Sequence, residues 1–136
     1  MIPFLLVMAL AADVPFTTVA RGSASGLETP RQVTVRTVAE WRELWKSHAP
    51  TQQVPAIDFS TKMVVGVFLG TQPTAGIDVE IVAVRTENDA LVVDYVERRP
   101  DRGMMTAQIL TEPFHLVSLP KHDGPVRFTE ITGPGR

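Results

Sequence analysis

The run Met63-Val-Val-Gly-Val-Phe-Leu69 contains no polar side chain. In a strand, successive side chains point to opposite faces, so an unbroken apolar run needs cover on both. The segment therefore reads as the central strand of a sheet, with a helix covering at least one face. Any fold for this chain must supply that cover, and the sequence offers one clear helix to do it.

That helix follows Thr37. Thr37-Val-Ala-Glu40 has the form of a capping box, in which the Thr hydroxyl accepts from the third helical N–H while Glu40 reaches back. Behind it Trp41, Leu44, Trp45 and His48 recur at helical spacing on one stripe, and Pro50 closes the segment. Two tryptophans on so short a helix imply that it lies flat on a sheet. Each ring can bury ~150–250 Å². Trp41, Leu44 and Trp45, with Phe59, Phe68 and Phe114 from the strands, form the expected structural core. His48 is expected to pack its ring and to interact with the helix dipole.

The remaining segments read mostly as strands. Phe16–Arg21 alternates and is followed by the flexible connector Gly22-Ser-Ala-Ser-Gly26, and Gln32–Arg36 puts Val33 and Val35 on one face. These two segments are expected to form a hairpin with a long loop. From Ile77 to Val84 the alternation sets Ile77, Val79, Ile81 and Ala83 against Asp78, Glu80, Val82 and Val84. Glu87-Asn88-Asp89 is a turn, and Leu91, Val93 and Tyr95 continue the pattern. Then come Gln108-Ile109-Leu110, Phe114–Leu119 and Val126–Phe128, ending in a polar tail at Gly133–Arg136. About six to eight strands and one helix predict an α+β domain. Its mostly antiparallel sheet is barrel-like or a sandwich, with one amphipathic helix packed on it.

Bulk properties narrow the function. In 136 residues, 44% apolar, the chain can bury a core as one domain, and 21% charged residues argue against disorder. Thirteen Lys and Arg against fifteen Asp and Glu give a net charge of -2. No basic stripe forms, so nucleic acid is not an expected partner. With no cysteine there is no disulfide, no thiolate metal site and no lipid anchor through Cys. Ile2–Ala11 has the length of a signal-peptide hydrophobic region, and Ala9-Leu10-Ala11 resembles a cleavage site, although no Lys or Arg precedes it. It is well short of the ~20 residues that span a bilayer. Residues 1–12 thus read as a signal peptide, which would make the protein secreted or periplasmic, or alternatively as an apolar N-terminal arm. Residues 13–136 read as a single domain.

Chemistry-bearing constellations are thin. His48, His115 and His122 share no ligand spacing, so no metal is expected. His115 alternates with Phe114 and Leu116 and should face the other side of its sheet, and His122 sits in a solvated turn. Gly22-Ser-Ala-Ser-Gly26 has its serines at the wrong positions for a nucleophile elbow, and no phosphate-binding glycine pattern precedes a helix. Asp58 and Ser60 are turn formers. The chain is expected to be no enzyme and to use no cofactor.

An ordered set of residues carries a resemblance. Trp41-x-x-Leu44-Trp45-x-x-His48, Asp58-Phe59-Ser60, Met63-Val64-Val65, Phe68-Leu69-Gly70 and Pro73-Thr74-x-Gly76 come first. Val79-x-Ile81, Leu91-Val92-Val93-x-Tyr95, Pro100, Thr111-x-Pro113-Phe114-His115-Leu116-Val117 and Pro120-Lys121 follow. From about Phe16 to Phe128 this resembles the C-terminal domain family named after PrcB, the stabilising subunit of a bacterial surface protease complex. The resemblance implies a mostly β, exported bacterial domain that binds protein, most directly a subtilisin-like protease, and performs no chemistry. The name-giving member is a lipoprotein, whereas this chain has no Cys to lipidate.

Gln72-Pro73-Thr74-Ala75-Gly76-Ile77 is a turn by chemistry, with Pro73 fixing φ and Gly76 supplying a positive one. Loops on a rigid scaffold also carry contacts, so these six residues are candidates for partner binding. The second candidate surface is Arg98–Met105, where Arg98, Arg99 and Arg102 flank Met104 and Met105; these methionines could equally begin a buried strand. Pro73–Ile77 also resembles the Pro-Thr-Thr-Gly-aromatic loop of chagasin-type cysteine protease inhibitors. That implies an alternative, a loop-inserting protease inhibitor, with Thr111-Glu112-Pro113-Phe114 as the nearest counterpart of its second loop.

Overall fold

The computed structural model describes residues 12–132 apart from Arg102; the Ile2–Ala11 leader, Arg102 and the Gly133–Arg136 tail lie outside the described residues. The elements are β1 (Ala12–Asp13), β2 (Thr17–Gly22), β3 (Arg31–Val35), α1 (Val38–His48), β4 (Lys62–Phe68), β5 (Asp78–Glu87), β6 (Ala90–Arg98), β7 (Phe114–Pro120) and β8 (Val126–Glu130). They form two sheets, ordered β1-β5-β6-β8 and β2-β7-β4-β3. Every pairing is antiparallel except β6 with β8, which run parallel. The architecture is a sandwich with one helix on the outer face of the second sheet, and no closed barrel forms among the described residues.

β4 explains the layering. Its side chains Met63, Val65 and Val67, with Leu69 just beyond, enter the core between the sheets, beside Val79, Ile81, Leu91, Val93, Val117 and Leu119. Val64 and Phe68 point the other way, into a second core under the helix, with Val33, Val35, Leu116 and Phe114. Trp41, Leu44, Trp45 and Phe59 complete that second core. Gly66 is needed in mid-strand because a Cβ there would lie 2.3 Å from Leu116 Cδ2. The helix is set by its cap: Glu40 N–H donates to Thr37 Oγ1 at 3.1 Å, while Thr37 N–H and Arg36 N–H donate to Glu40 Oε1. Both indole N–H groups are satisfied, Trp41 by Pro55 O and Trp45 by Gln52 O. Asp58 Oδ1 accepts from the Ser60 N–H and hydroxyl, as its turn-forming chemistry requires.

Several expectations are corrected. β2 and β3 are not a hairpin: they are the two opposite edges of one sheet, β2 pairing with β7 and β3 with β4. The connector between them is pinned rather than free, since Ser25 Oγ lies 2.7 Å from His48 Nδ1 and Gly26 N–H donates to His48 O. A Cβ on Gly26 would fall 2.2 Å from Ser47 O, so the chain crosses the helix end at backbone contact. In β5 a bulge at Val82 reverses the alternation, leaving Val82 exposed and Val84, not Ala83, in the core. Gln108-Ile109-Leu110 is not a strand and is exposed. The Asn88–Asp89 turn has positive φ at both residues, 50° and 68°, the geometry of a type I′ hairpin.

Candidate functional site

The strand register gathers three connections at one end of the sandwich. Phe68 at the end of β4 pairs with Arg31 at the start of β3 and with Phe114 at the start of β7. Asp78 at the start of β5 pairs with Arg98 at the end of β6. The β2–β3, β4–β5 and β6–β7 connections therefore meet there.

The β4–β5 loop is shaped by two glycines. Gly70 has φ +75° and lies against Pro30 and Glu28, where a Cβ would come within 2.7 Å of Pro30 N. Gly76 has φ +91°, and a Cβ there would lie 2.8 Å from Pro100 Cγ. Both positions combine a left-handed conformation with a close approach, so only glycine fits without displacement. Ile77 ends the loop buried in the core between the sheets. It packs; it is not presented to a partner.

The loop is stitched to the β6–β7 connection, residues 99–113. Gln72 N–H donates to Thr111 O at 2.7 Å and Thr111 N–H returns to Gln72 O at 3.0 Å. Ala75 N–H donates to Ala107 O, the Thr74 hydroxyl to Ala107 O, and the Thr111 hydroxyl to Thr74 O. Thr71 N–H reaches Glu28 O and Glu112 N–H reaches Ser23 O, which ties in the third connection. Irregular connections beyond about 12–15 residues are uncommon in compact domains and are usually functional or disordered. This one reaches that length and is held by backbone bonds along its second half.

What it displays is apolar. Met105 is 96% exposed, Leu110 70%, Met104 59% and Ile109 57%. The methionines do not begin a buried strand. Thr111 and Phe114 are buried, so Thr111–Phe114 does not project as a second inhibitory loop would. The arginines of the second candidate surface are engaged by acids. Arg98 lies 2.7 Å from Glu80 and 3.5 Å from Asp78, to which Arg21 also pairs at 2.7 Å. Arg99 pairs with Glu97. The Arg98 hydrogen bond, helped by Arg21, holds the Glu80 carboxyl below the usual range. Arg102 lies outside the described residues.

The histidines are structural in placement. His48 is caged edge-on by Trp45, Phe68 and Phe114, and burial lowers its pKa, so it packs as a neutral ring rather than as a cation at the helix end. His115 is buried between the sheets. His122 is only half-solvated, its Nε2 3.0 Å from Asp89 O. Among the described residues no three His, Cys, Asp or Glu side chains converge as metal ligands, and no helix is long and apolar enough to cross a membrane.

The sequence marks Met104, Met105 and the 72–77 loop as contact candidates, whereas Ile109 and Leu110 read there as part of a strand and not as surface. The signal was present: those two apolar residues sit in a segment without alternation, just ahead of Pro113. A cleft of ≈ 590 Å³ brings Gln72 and Arg99 together with Tyr95, Glu97, Arg31 and Gln32.

No curated protein and no solved structure matches the chain. A protein-family model described as PrcB C-terminal matches residues 63–120, from β4 through both loops of this surface to the end of β7. Over that stretch the chain is similar to the PrcB C-terminal family.

Proposed function

We propose that this chain is a non-catalytic protein-binding module that accompanies and stabilises a protease, subtilisin-like by family resemblance. It meets that protease through the end of the sandwich built by residues 70–77 and 99–113. One observation carries the reading: a long connection, fixed by backbone bonds, holds Met104, Met105, Ile109 and Leu110 out in solvent. Several large apolar side chains exposed on one connection mark an interaction surface, and methionine adapts to a partner's contour. A loop already ordered by its own hydrogen bonds loses less entropy on docking. Arg98 and Arg99 lead into the same connection, and their exposed ion pairs are weak enough to exchange for a partner's carboxylates. The reading includes export, supported by the apolar Ile2–Ala11 segment.

The test is a time course of a subtilisin-like serine protease and a papain-like cysteine protease, with and without the purified domain. Unchanged initial activity with slower self-digestion is the expected result. An immediate, concentration-dependent loss of activity would replace this reading with the inhibitor one. N-terminal sequencing of protein recovered from outside the cytoplasm tests export.

A further inference from the structure

The outer edge of β3 has a different character from the loop surface. Leu69 N–H donates to Pro113 O and Lys121 N–H to Thr61 O, which fixes the odd-numbered residues of β4 as those facing β7. The even ones, Val64, Gly66 and Phe68, face β3 and bond Val35, Val33 and Arg31. By alternation, the N–H and C=O of Gln32 and Thr34 point away from the sheet. Among the described residues no backbone group pairs with them. The next outward N–H, of Arg36, is taken by Glu40 Oε1, and Pro30 has none on the other side. The open edge is thus short, regular in register and sharply delimited. The opposite edge of the same sheet, β2, is bulged between Thr18 and Ala20, a device that discourages pairing, whereas β3 keeps regular register throughout.

Two clefts flank this edge, one on each face. On the helix side a groove of ≈ 810 Å³ runs along β3, with Ala39, Leu44 and Ser47 beside the carboxylates of Glu40 and Glu43, and Arg31 also in its lining. Glu40 is committed to the helix cap; Glu43 has no ion-pair partner among the described residues. On the other side is the ≈ 590 Å³ cleft, lined by Leu69, Tyr95 and the Glu97–Arg99 pair among others. A strand laid on β3 sends alternate side chains to opposite faces, hence alternately into these two clefts.

We propose that the β3 edge is a strand-addition site for an extended segment of a partner protein, with basic side chains toward Glu43 and apolar ones toward Tyr95. Main-chain bonds to Gln32 and Thr34 supply the docking and the two clefts supply the selectivity. A second copy of this chain is the poorer occupant. Its own edge would bring basic Arg31 but also a second Glu43 to the same groove.

The probe is an acetylated and amidated alternating Lys-Val heptapeptide added to the full chain, with amide hydrogen exchange read residue by residue. Exchange at Gln32 and Thr34 should slow about tenfold or more at saturation, while Arg31, Val33 and Val35 change little. An alternating Glu-Val peptide should bind worse, and Glu43→Lys should weaken the Lys-Val peptide about two- to fivefold, the range of one exposed ion pair. Met105→Ser should leave this binding unchanged, which separates it from the loop surface. Three results would each overturn the proposal. One is no slowing at Gln32 and Thr34 at millimolar peptide. Another is equal binding by a peptide N-methylated at alternate backbone nitrogens, which would mean charge attraction alone. The last is slowing that rises with protein concentration and needs no peptide, which would mean self-pairing.

Discussion

His115 on β7 accepts the backbone N–H of Ile81 on β5 through Nδ1 at 2.9 Å, a bond that crosses from one sheet to the other. Ile81 directly precedes the Val82 bulge, so an N–H at an irregular point of the ladder is met by a side chain. Since Nδ1 accepts, the ring proton sits on Nε2, which donates to Thr18 Oγ1 at 2.8 Å on β2. One neutral imidazole thus joins three strands. His115→Ala should destabilise by about 1–3 kcal/mol through the unsatisfied buried N–H, with an added cavity cost. His115→Asn, which can offer an acceptor near the same place, should recover part of the loss. Urea unfolding of the three proteins measures this; equal midpoints would show that the bond contributes nothing.

The same group makes stability depend on pH. Burial, aided at His115 by Arg21, holds both His48 and His115 below the ordinary imidazole pKa of 6.5; Glu80 and Asp78 oppose the shift at His115 but do not reverse it. With the folded pKa values depressed, the stabilisation is complete above pH 6.5. Below that the unfolded chain takes up protons first, and stability falls until the folded pKa values are passed. The urea midpoint should therefore drop between about pH 7.5 and pH 5, where ordinary carboxylates are still ionised. A His48→Gln/His115→Gln double variant should be less stable at neutral pH and show a flatter profile over that interval.

The helix core gives a graded prediction. Trp41 and Trp45 lie with ring centroids 5.4 Å apart and each donates its indole N–H to a backbone oxygen. Trp45→Ala should cost about 3–5 kcal/mol. Trp45→Phe keeps much of the apolar area but leaves Gln52 O without its donor, so about 1–3 kcal/mol is expected. If Phe were as costly as Ala, what both variants lose, the indole N–H bond with the second ring, would set the effect rather than the apolar area that Phe keeps.

What could be read from the sequence was whatever is decided locally. The capping box, the Trp41–His48 stripe and the Asn88–Asp89 turn each depend on residues within a few positions of one another. The unbroken run of β4 was legible because burial on two faces leaves no other pattern. The edges of the second sheet were not, because β2 pairs with β7 far along the chain, Thr18 opposite Val117, and alternation carries no record of the partner. The Val82 bulge shows how one residue propagates. Counted back from Asn88–Asp89 in perfect register, Arg98 would face Val79; the bulge moves it opposite Asp78 and so assembles the Arg21–Asp78–Arg98–Glu80 cluster. In the candidate site the glycines announced their own turns, whereas the exposure of Ile109 and Leu110 depended on where a long connection comes to rest.

The two aliphatic side chains Ile77 and Leu110 provide the last prediction, since both belong to the loop surface yet face opposite ways. Ile77 is buried between the sheets and Leu110 stands in solvent. Ile77→Ala should cost about 2–5 kcal/mol in stability and act on binding only through misfolding. Leu110→Ser combined with Met105→Ser should change stability by about 0.5 kcal/mol or less, because neither side chain contributes to the core. If the patch is the protease contact, that double variant should weaken association about tenfold or more, since truncating central apolar anchors is what removes binding energy. Thermal unfolding and titration calorimetry against the protease separate the two effects. A double variant that unfolds like the parent and still slows protease self-digestion fully would move the contact away from this end of the sandwich.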